Sequence, residues 1–135
     1  MTPTLTALTG FVAWSLLLLV VMELIRSKLV VTKAVAANEF RPDNLNLSPF
    51  MQRLARAHAN CLEGLPLFGG LMLIATLAGK SDVTDPVAYP FLAARILQSS
   101  VHLASISAAA VILRFFAFAV QMGIAVYWAF RLLAG

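Results

Sequence analysis

The chain has 135 residues, of which 61% are hydrophobic and only 12% are charged. Soluble domains carry about 25% charged residues, so this composition excludes an ordinary soluble domain and predicts a multi-pass integral membrane protein in contact with lipid. The net charge of +4 comes without a dense basic run, which argues against nucleic-acid binding, and the single cysteine excludes an internal disulfide and offers no metal cluster. The length fits one domain of about four membrane spans.

The first predicted helix covers residues 5–31, because residues 5–22 are almost continuously apolar. Glu23 and Arg26 follow this run three residues apart, a spacing at which two side chains on a helix meet. We expect them to form an ion pair at the membrane surface.

A polar segment, residues 32–47, separates this helix from the second, which we place at residues 49–78. Ser48 is a typical N-cap residue and Pro49 suits the first helical position. Pro66 lies inside this helix, where it removes a backbone hydrogen bond, and therefore predicts a kink.

Two further helices complete an all-α bundle of four transmembrane helices. Asp85 as N-cap and Pro86 after it predict a third helix at residues 86–107, and the fourth is predicted at residues 109–133. The basic residues in and beside the first loop are Arg26, Lys28, Lys33, Arg41 and Arg53. The second loop has only Lys80, so the positive-inside rule predicts a cytoplasmic first loop.

Polar residues form a stripe on each of two helices. Arg56, Asn60 and Glu63 share one face of the second helix because they are spaced i, i+4, i+7. Arg95, Gln98 and His102 share a face of the third helix. A charge at the bilayer centre costs ~3 kcal/mol, so such residues point at a partner, a cavity or a ligand. The first stripe is either a polar site between helices or an ion pair that joins them.

The charges in these helices are unbalanced. Arg56, Arg95 and Arg114 are cationic, whereas Glu63 is the only acid deep in the membrane region. A buried excess of positive charge needs an anion or water to compensate it. A ligand with two carboxylates and one amine fits this set, and glutathione is such a molecule; a lipid phosphate would also suit the arginines.

Three segments of the chain combine residue type, spacing and position in a specific way. They are the run Arg56-Ala57-His58-Ala59-Asn60-Cys61-Leu62-Glu63 with Pro66 after it, the set Ala94, Arg95, Gln98 and His102, and the stretch with Lys33-Ala34-Val35 and Ala37-Asn38-Glu39. Together they resemble the MAPEG family, the membrane-associated proteins in eicosanoid and glutathione metabolism. The resemblance covers roughly residues 26–133 and implies a four-helix protomer, similar to microsomal glutathione transferases, in a homotrimer. It also implies that glutathione is bound between protomers, near the cytoplasmic side.

The resemblance assigns roles to individual residues. Those implied to bind glutathione are Arg56, Asn60, Glu63, Arg95 and Gln98. The family often has tyrosine where this chain has His102, and histidine or tyrosine where it has Gln98. In an alignment without gaps, the family's thiol-activating arginine falls at Val111, whereas this chain has Arg114 one turn later. Either a shorter loop brings Arg114 into that place, or the thiol-activating arginine is missing. We hypothesise that Arg114 supplies the positive charge at the thiol. Alternatively, His102 donates a hydrogen bond to the thiol, or it only packs between helices.

The resemblance therefore predicts a glutathione-dependent transferase or peroxidase that acts on lipophilic electrophiles or lipid hydroperoxides. One alternative is a non-catalytic member that binds lipid or glutathione. Another is a small multidrug exporter, for which Glu23 is the candidate acid. The short chain suits a bacterial inner membrane.

Overall fold

The structure, a computed structural model, describes residues 1–135 and contains only helices. They are α1 (Pro3–Val31), α2 (Pro49–Gly64), a π-helical segment (Leu65–Gly69), α3 (Gly70–Leu77), α4 (Ser81–Ala104) and α5 (Ala108–Ala134). The second predicted span is the continuous run of α2, the π-helical segment and α3. The protein is thus an all-α membrane bundle of four spans, as the sequence predicts.

Three of the four spans are long and apolar enough to cross a membrane: Pro3–Val31, Pro49–Leu77 and Ala108–Ala134. The third span, α4, is more polar, and it lies at the centre of the bundle in contact with α1, α2, α3 and α5. Its buried residues include Arg95 and His102. Polar side chains are tolerated on α4 because they face other helices instead of lipid.

An aromatic cluster joins all four spans around Phe91 of α4, whose side chain is fully buried. The ring centre of Phe91 lies 5.9 Å from that of Phe11 on α1, 5.0 Å from Phe68 in the π-helical segment and 5.5 Å from Trp128 on α5. These separations are in the favourable range for aromatic pairs. The cluster fixes the helices that carry the polar stripes relative to one another.

The irregularity expected at Pro66 takes the form of the π-helical segment Leu65–Gly69. Proline has no N–H to give to the carbonyl one turn earlier, and its ring collides with that carbonyl. A π-helical turn relieves the collision by widening the helix locally, so α2 continues into α3 without a break.

The prediction for the third helix is wrong at both ends. The helix begins at Ser81 instead of residue 86, so Pro86 lies inside it. Asp85 does not cap this helix; its Oδ1 accepts hydrogen bonds from the backbone N–H (3.0 Å) and the hydroxyl of Thr4, in the first turn of α1. The helix ends at Ala104 instead of residue 107, because Ser105 is extended.

The first loop is fastened to α1 and α2 by two side chains. Arg26 forms the predicted pair with Glu23 at 3.1 Å, and its Nε also donates to Oδ1 of Asn44 at 3.2 Å. Asn44 is fully buried, has a positive φ of 56°, and donates to the carbonyl of Met51 at 2.8 Å. Asparagine tolerates this left-handed conformation, so it can close the loop against the start of α2.

Candidate functional site

The polar stripe of α2 lies opposite its packed face. Ser48 caps the helix by accepting a hydrogen bond from the N–H of Met51 at 3.3 Å, with Pro49 at the first position. Leu54 and Cys61 on this helix are fully buried against the bundle core. The stripe residues are more accessible, and they border two cavities.

The first cavity, which we call the boundary cavity, has a volume of about 340 Å³. Its lining residues are Arg56, Ala59, Asn60, Glu63, His102 and Arg114. It lies at the end of the bundle where α4 finishes and α5 begins.

The second cavity, which we call the deep cavity, has a volume of about 400 Å³. Its lining residues are Asn60, Glu63, Gly64, Leu67, Phe68, Arg95, Gln98 and Phe118. Asn60 and Glu63 line both cavities, which therefore adjoin. Every residue for which the sequence suggested a role at the site lines one or both of them.

Arg95 is the most constrained member of this set. Its side chain is only 1% exposed, it forms no ion pair, and its Nε and Nη2 atoms have no hydrogen-bond partner. The guanidinium lies over the rings of Phe11 (5.3 Å), Phe68 (5.5 Å) and Phe118 (6.0 Å). Aromatic faces attract a cation, but they do not satisfy N–H donors. This arginine therefore still requires a hydrogen-bond acceptor.

Gly64, which the sequence analysis did not select, makes room for that guanidinium. A Cβ atom at this position would lie 2.9 Å from Nη2 of Arg95 and 3.1 Å from the ring of Phe68. The sequence indicates a role for Gly64 only through its position, directly after Glu63 of the stripe.

The sequence analysis also did not identify Gln121 as a site residue. It lies on α5, is fully buried, and donates from Nε2 to Oε1 of Gln98 at 2.8 Å. The signal in the sequence was an amide in the middle of an otherwise apolar helix.

Arg114 lies opposite His102 in the boundary cavity, although it is one turn later than the family pattern predicts. Only residues 105–107 connect α4 to α5, and Ser107 caps α5 by accepting from the N–H of Ala110 at 3.2 Å. This short connection brings the second turn of α5 beside the last turn of α4. The Nε of Arg114 is buried and has no hydrogen-bond partner.

A comparison with sequence models of protein families finds a match to the MAPEG family over residues 4–134. The chain belongs to the MAPEG family. The resemblance inferred from the α2 and α4 motifs is thereby confirmed, and membership supports a glutathione-related function in a membrane. Searches of curated proteins and of solved structures find no match.

The MAPEG protein also has an apolar groove of about 520 Å³ between its second and fourth spans. The residues at its edge that also line the deep cavity are Leu67, Phe68 and Phe118. An apolar surface open to lipid is thus continuous with the polar site.

Other candidate groups lie outside these cavities. The carboxylate of Glu23 is half exposed and paired with Arg26, and it borders neither cavity of this MAPEG protein. The thiol of Cys61 is buried, with Sγ 3.4 Å from Oγ of Ser99. No group of three histidine, cysteine or acidic side chains is arranged to hold a metal ion.

Proposed function

We propose that this MAPEG protein is a membrane transferase or peroxidase that binds glutathione in the boundary and deep cavities. The observation that carries the proposal is the charge of these cavities: Arg56, Arg95 and Arg114 line them, against the single acid Glu63. Glutathione has two carboxylates and one ammonium group, which matches this set of partners. Hydrogen bonds between charged groups out of water are strong enough to make such a match specific.

The binding roles follow from the type and position of each side chain. Arg56 and Arg95 bind the carboxylates, because guanidinium forms paired hydrogen bonds with them. Glu63, which lines both cavities, accepts from the ammonium group. Asn60 supplies hydrogen bonds to the peptide groups between these charges. Gln98, which lines the deep cavity with Arg95, donates to the same carboxylate as Arg95.

The catalytic roles belong to the boundary cavity. Bound glutathione supplies a thiol, and the thiolate form of this group is the nucleophile. A free thiol has a pKa of about 8.5. The positive charge of Arg114 stabilises the thiolate and so lowers the pKa of the thiol. His102, on the facing wall of the same cavity, donates a hydrogen bond to the sulfur or to the leaving group.

The groove between the second and fourth spans supports a lipophilic co-substrate. Its wall is almost entirely apolar, and it reaches the polar site at Phe68 and Phe118. An electrophile or lipid hydroperoxide dissolved in the bilayer would approach the site along this surface.

Assembly as a homotrimer is part of the proposal. Large apolar side chains such as Phe116 and Val126 are more than half exposed on α5. Arg56 and Glu63 are also exposed within one protomer, so a neighbouring protomer would close the cavities around the ligand. We further propose a cytoplasmic first loop, from the distribution of Lys and Arg, and residence in a bacterial inner membrane.

The second candidate function is non-catalytic binding of glutathione or lipid. It is favoured by the departures from the family pattern at Gln98 and His102, which remove the tyrosine often present there.

A measurement of turnover distinguishes the two candidate functions. The purified protein is assayed with glutathione and either an aromatic halide or a lipid hydroperoxide, and ultraviolet absorbance of the bound thiolate is followed. An enzyme shows both signals, whereas a binding protein shows no turnover above that of empty detergent micelles.

A further inference from the structure

The buried contact between α4 and α5 fixes the orientation of two amide side chains. Gln121 donates from Nε2 to the carbonyl of Ala117 at 3.0 Å, on its own helix, and to Oε1 of Gln98 at 2.8 Å. A carbonyl oxygen only accepts hydrogen bonds. The bond to Ala117 therefore identifies which end of the Gln121 amide carries the hydrogens.

The orientation of Gln98 follows from that of Gln121. Because Gln121 presents its N–H₂ group, Gln98 must present its oxygen, and the N–H₂ group of Gln98 is left free. Gln98 lines the deep cavity, and its Nε2 forms no hydrogen bond within the chain. Arg95, one turn earlier on α4, faces the same cavity with Nε and Nη2 unsatisfied. The polar groups that α4 leaves free at this cavity are thus donors.

We infer that Gln121 is a positioning residue that holds the Gln98 amide as a donor and thereby makes the deep cavity selective for a carboxylate. The inference rests on the proposed function, since glutathione is the carboxylate ligand in question. Gln121 would not touch the ligand, because it lies behind Gln98 and is fully buried. Without it, the Gln98 amide is free to rotate by half a turn, and its oxygen would then repel a carboxylate.

The arrangement leaves one polar atom of Gln121 unsatisfied. Oε1 of Gln121 is buried without a hydrogen-bond partner, which disfavours the folded state. An apolar residue of similar length would avoid that penalty and would fill the same space. A requirement imposed on Gln98 explains why a glutamine is present.

A double-mutant cycle tests whether Gln121 acts through Gln98 or only joins two helices. The substitutions are Gln121→Met, Gln98→Met and both together, and the readout is the dissociation constant of glutathione by calorimetric titration. We expect about 3- to 10-fold weaker binding for Gln121→Met and about 10-fold for Gln98→Met, with the double variant no weaker than Gln98→Met alone. Gln52→Met is the control, since Gln52 bonds only to loop carbonyls and should leave the affinity unchanged.

A measurement on the unsubstituted protein covers the case in which Gln121→Met does not fold. The chain has three glutamines, Gln52, Gln98 and Gln121, so labelling glutamine with ¹⁵N gives three pairs of side-chain amide signals in NMR. Glutathione should shift the Gln98 pair strongly, the Gln121 pair weakly and the Gln52 pair not at all. The Gln121 hydrogens should also exchange slowly with water.

The outcomes distinguish the inference from the proposed function. Three results would each overturn the role of Gln121 while leaving glutathione binding intact. The losses of affinity of the two single variants multiply in the double variant, Gln121→Met binds glutathione with unchanged affinity, or the NMR signal of Gln121 shifts more than that of Gln98. If the unsubstituted protein shows no heat of binding with glutathione, both the inference and the proposed function fail.

Discussion

Gly64 and Arg95 lie so close at the wall of the deep cavity that a Cβ on the glycine would be 2.9 Å from Nη2 of the arginine. The two residues come from different helices, α2 and α4. The absence of a side chain at one thus allows the buried guanidinium of the other to face the cavity. Glycine inside a helix is unfavourable by about 1 kcal/mol relative to alanine, so this contact accounts for its presence.

Gly64→Ala should therefore impair the site without destroying the fold. The new methyl group must displace either the Arg95 guanidinium or the ring of Phe68, and we expect glutathione to bind about 10-fold more weakly. Calorimetric titration measures the change. Gly70→Ala, on the same span, is the matched control, because its Cβ would have no neighbour within 4 Å. Equal affinities for the two variants would show that the Gly64 contact does not matter.

Arg114→Ala should separate binding from activation of the thiol. The variant loses the cation at the boundary cavity, so we expect turnover to fall about 100-fold and the absorbance of bound thiolate to disappear, with glutathione still bound. Arg131→Ala is the control, since Arg131 lies near the other end of α5 and bonds to the hydroxyl of Tyr127 at 2.8 Å. Full thiolate absorbance in Arg114→Ala would remove this residue from the mechanism.

Phe91→Ala should destabilise the whole bundle. Its ring contacts aromatic residues from the other three spans and is fully buried, so we expect a loss of about 3–5 kcal/mol in the free energy of unfolding. Thermal or denaturant unfolding in detergent measures this loss. Phe130→Ala, at a site that is 68% exposed, should cost far less. Similar losses for both would argue against a central aromatic cluster.

The periodicity of apolar residues was enough to predict the four spans. The spacing of polar residues was enough to predict the two stripes, on α2 and α4, that line the cavities. The error at α4 arose because Asp85 and Pro86 together are typical of a helix start. Asp85 instead accepts hydrogen bonds from Thr4, some eighty positions away in the chain. A contact between helices of that kind leaves no local pattern.

Gln121 shows the same limit at the site. Its pairing with Gln98 depends on how α5 is rotated against α4, and no spacing rule within one helix reports that rotation. The place of Arg114 was left open for a related reason. Alignment without gaps displaced it by one turn, and only the path of residues 105–107 decides that it faces His102.

Calorimetric titration of the detergent-solubilised protein with glutathione, compared with an Arg95→Met variant, tests the central claim most directly. If the buried guanidinium binds a carboxylate of glutathione, the unsubstituted protein should bind glutathione. The variant should bind it at least about 30-fold more weakly. The melting temperature of the variant should be no lower than that of the unsubstituted protein, because the substitution removes the desolvation cost of a buried unpaired charge. No heat of binding by the unsubstituted protein, or equal affinity of the two proteins, would contradict the account.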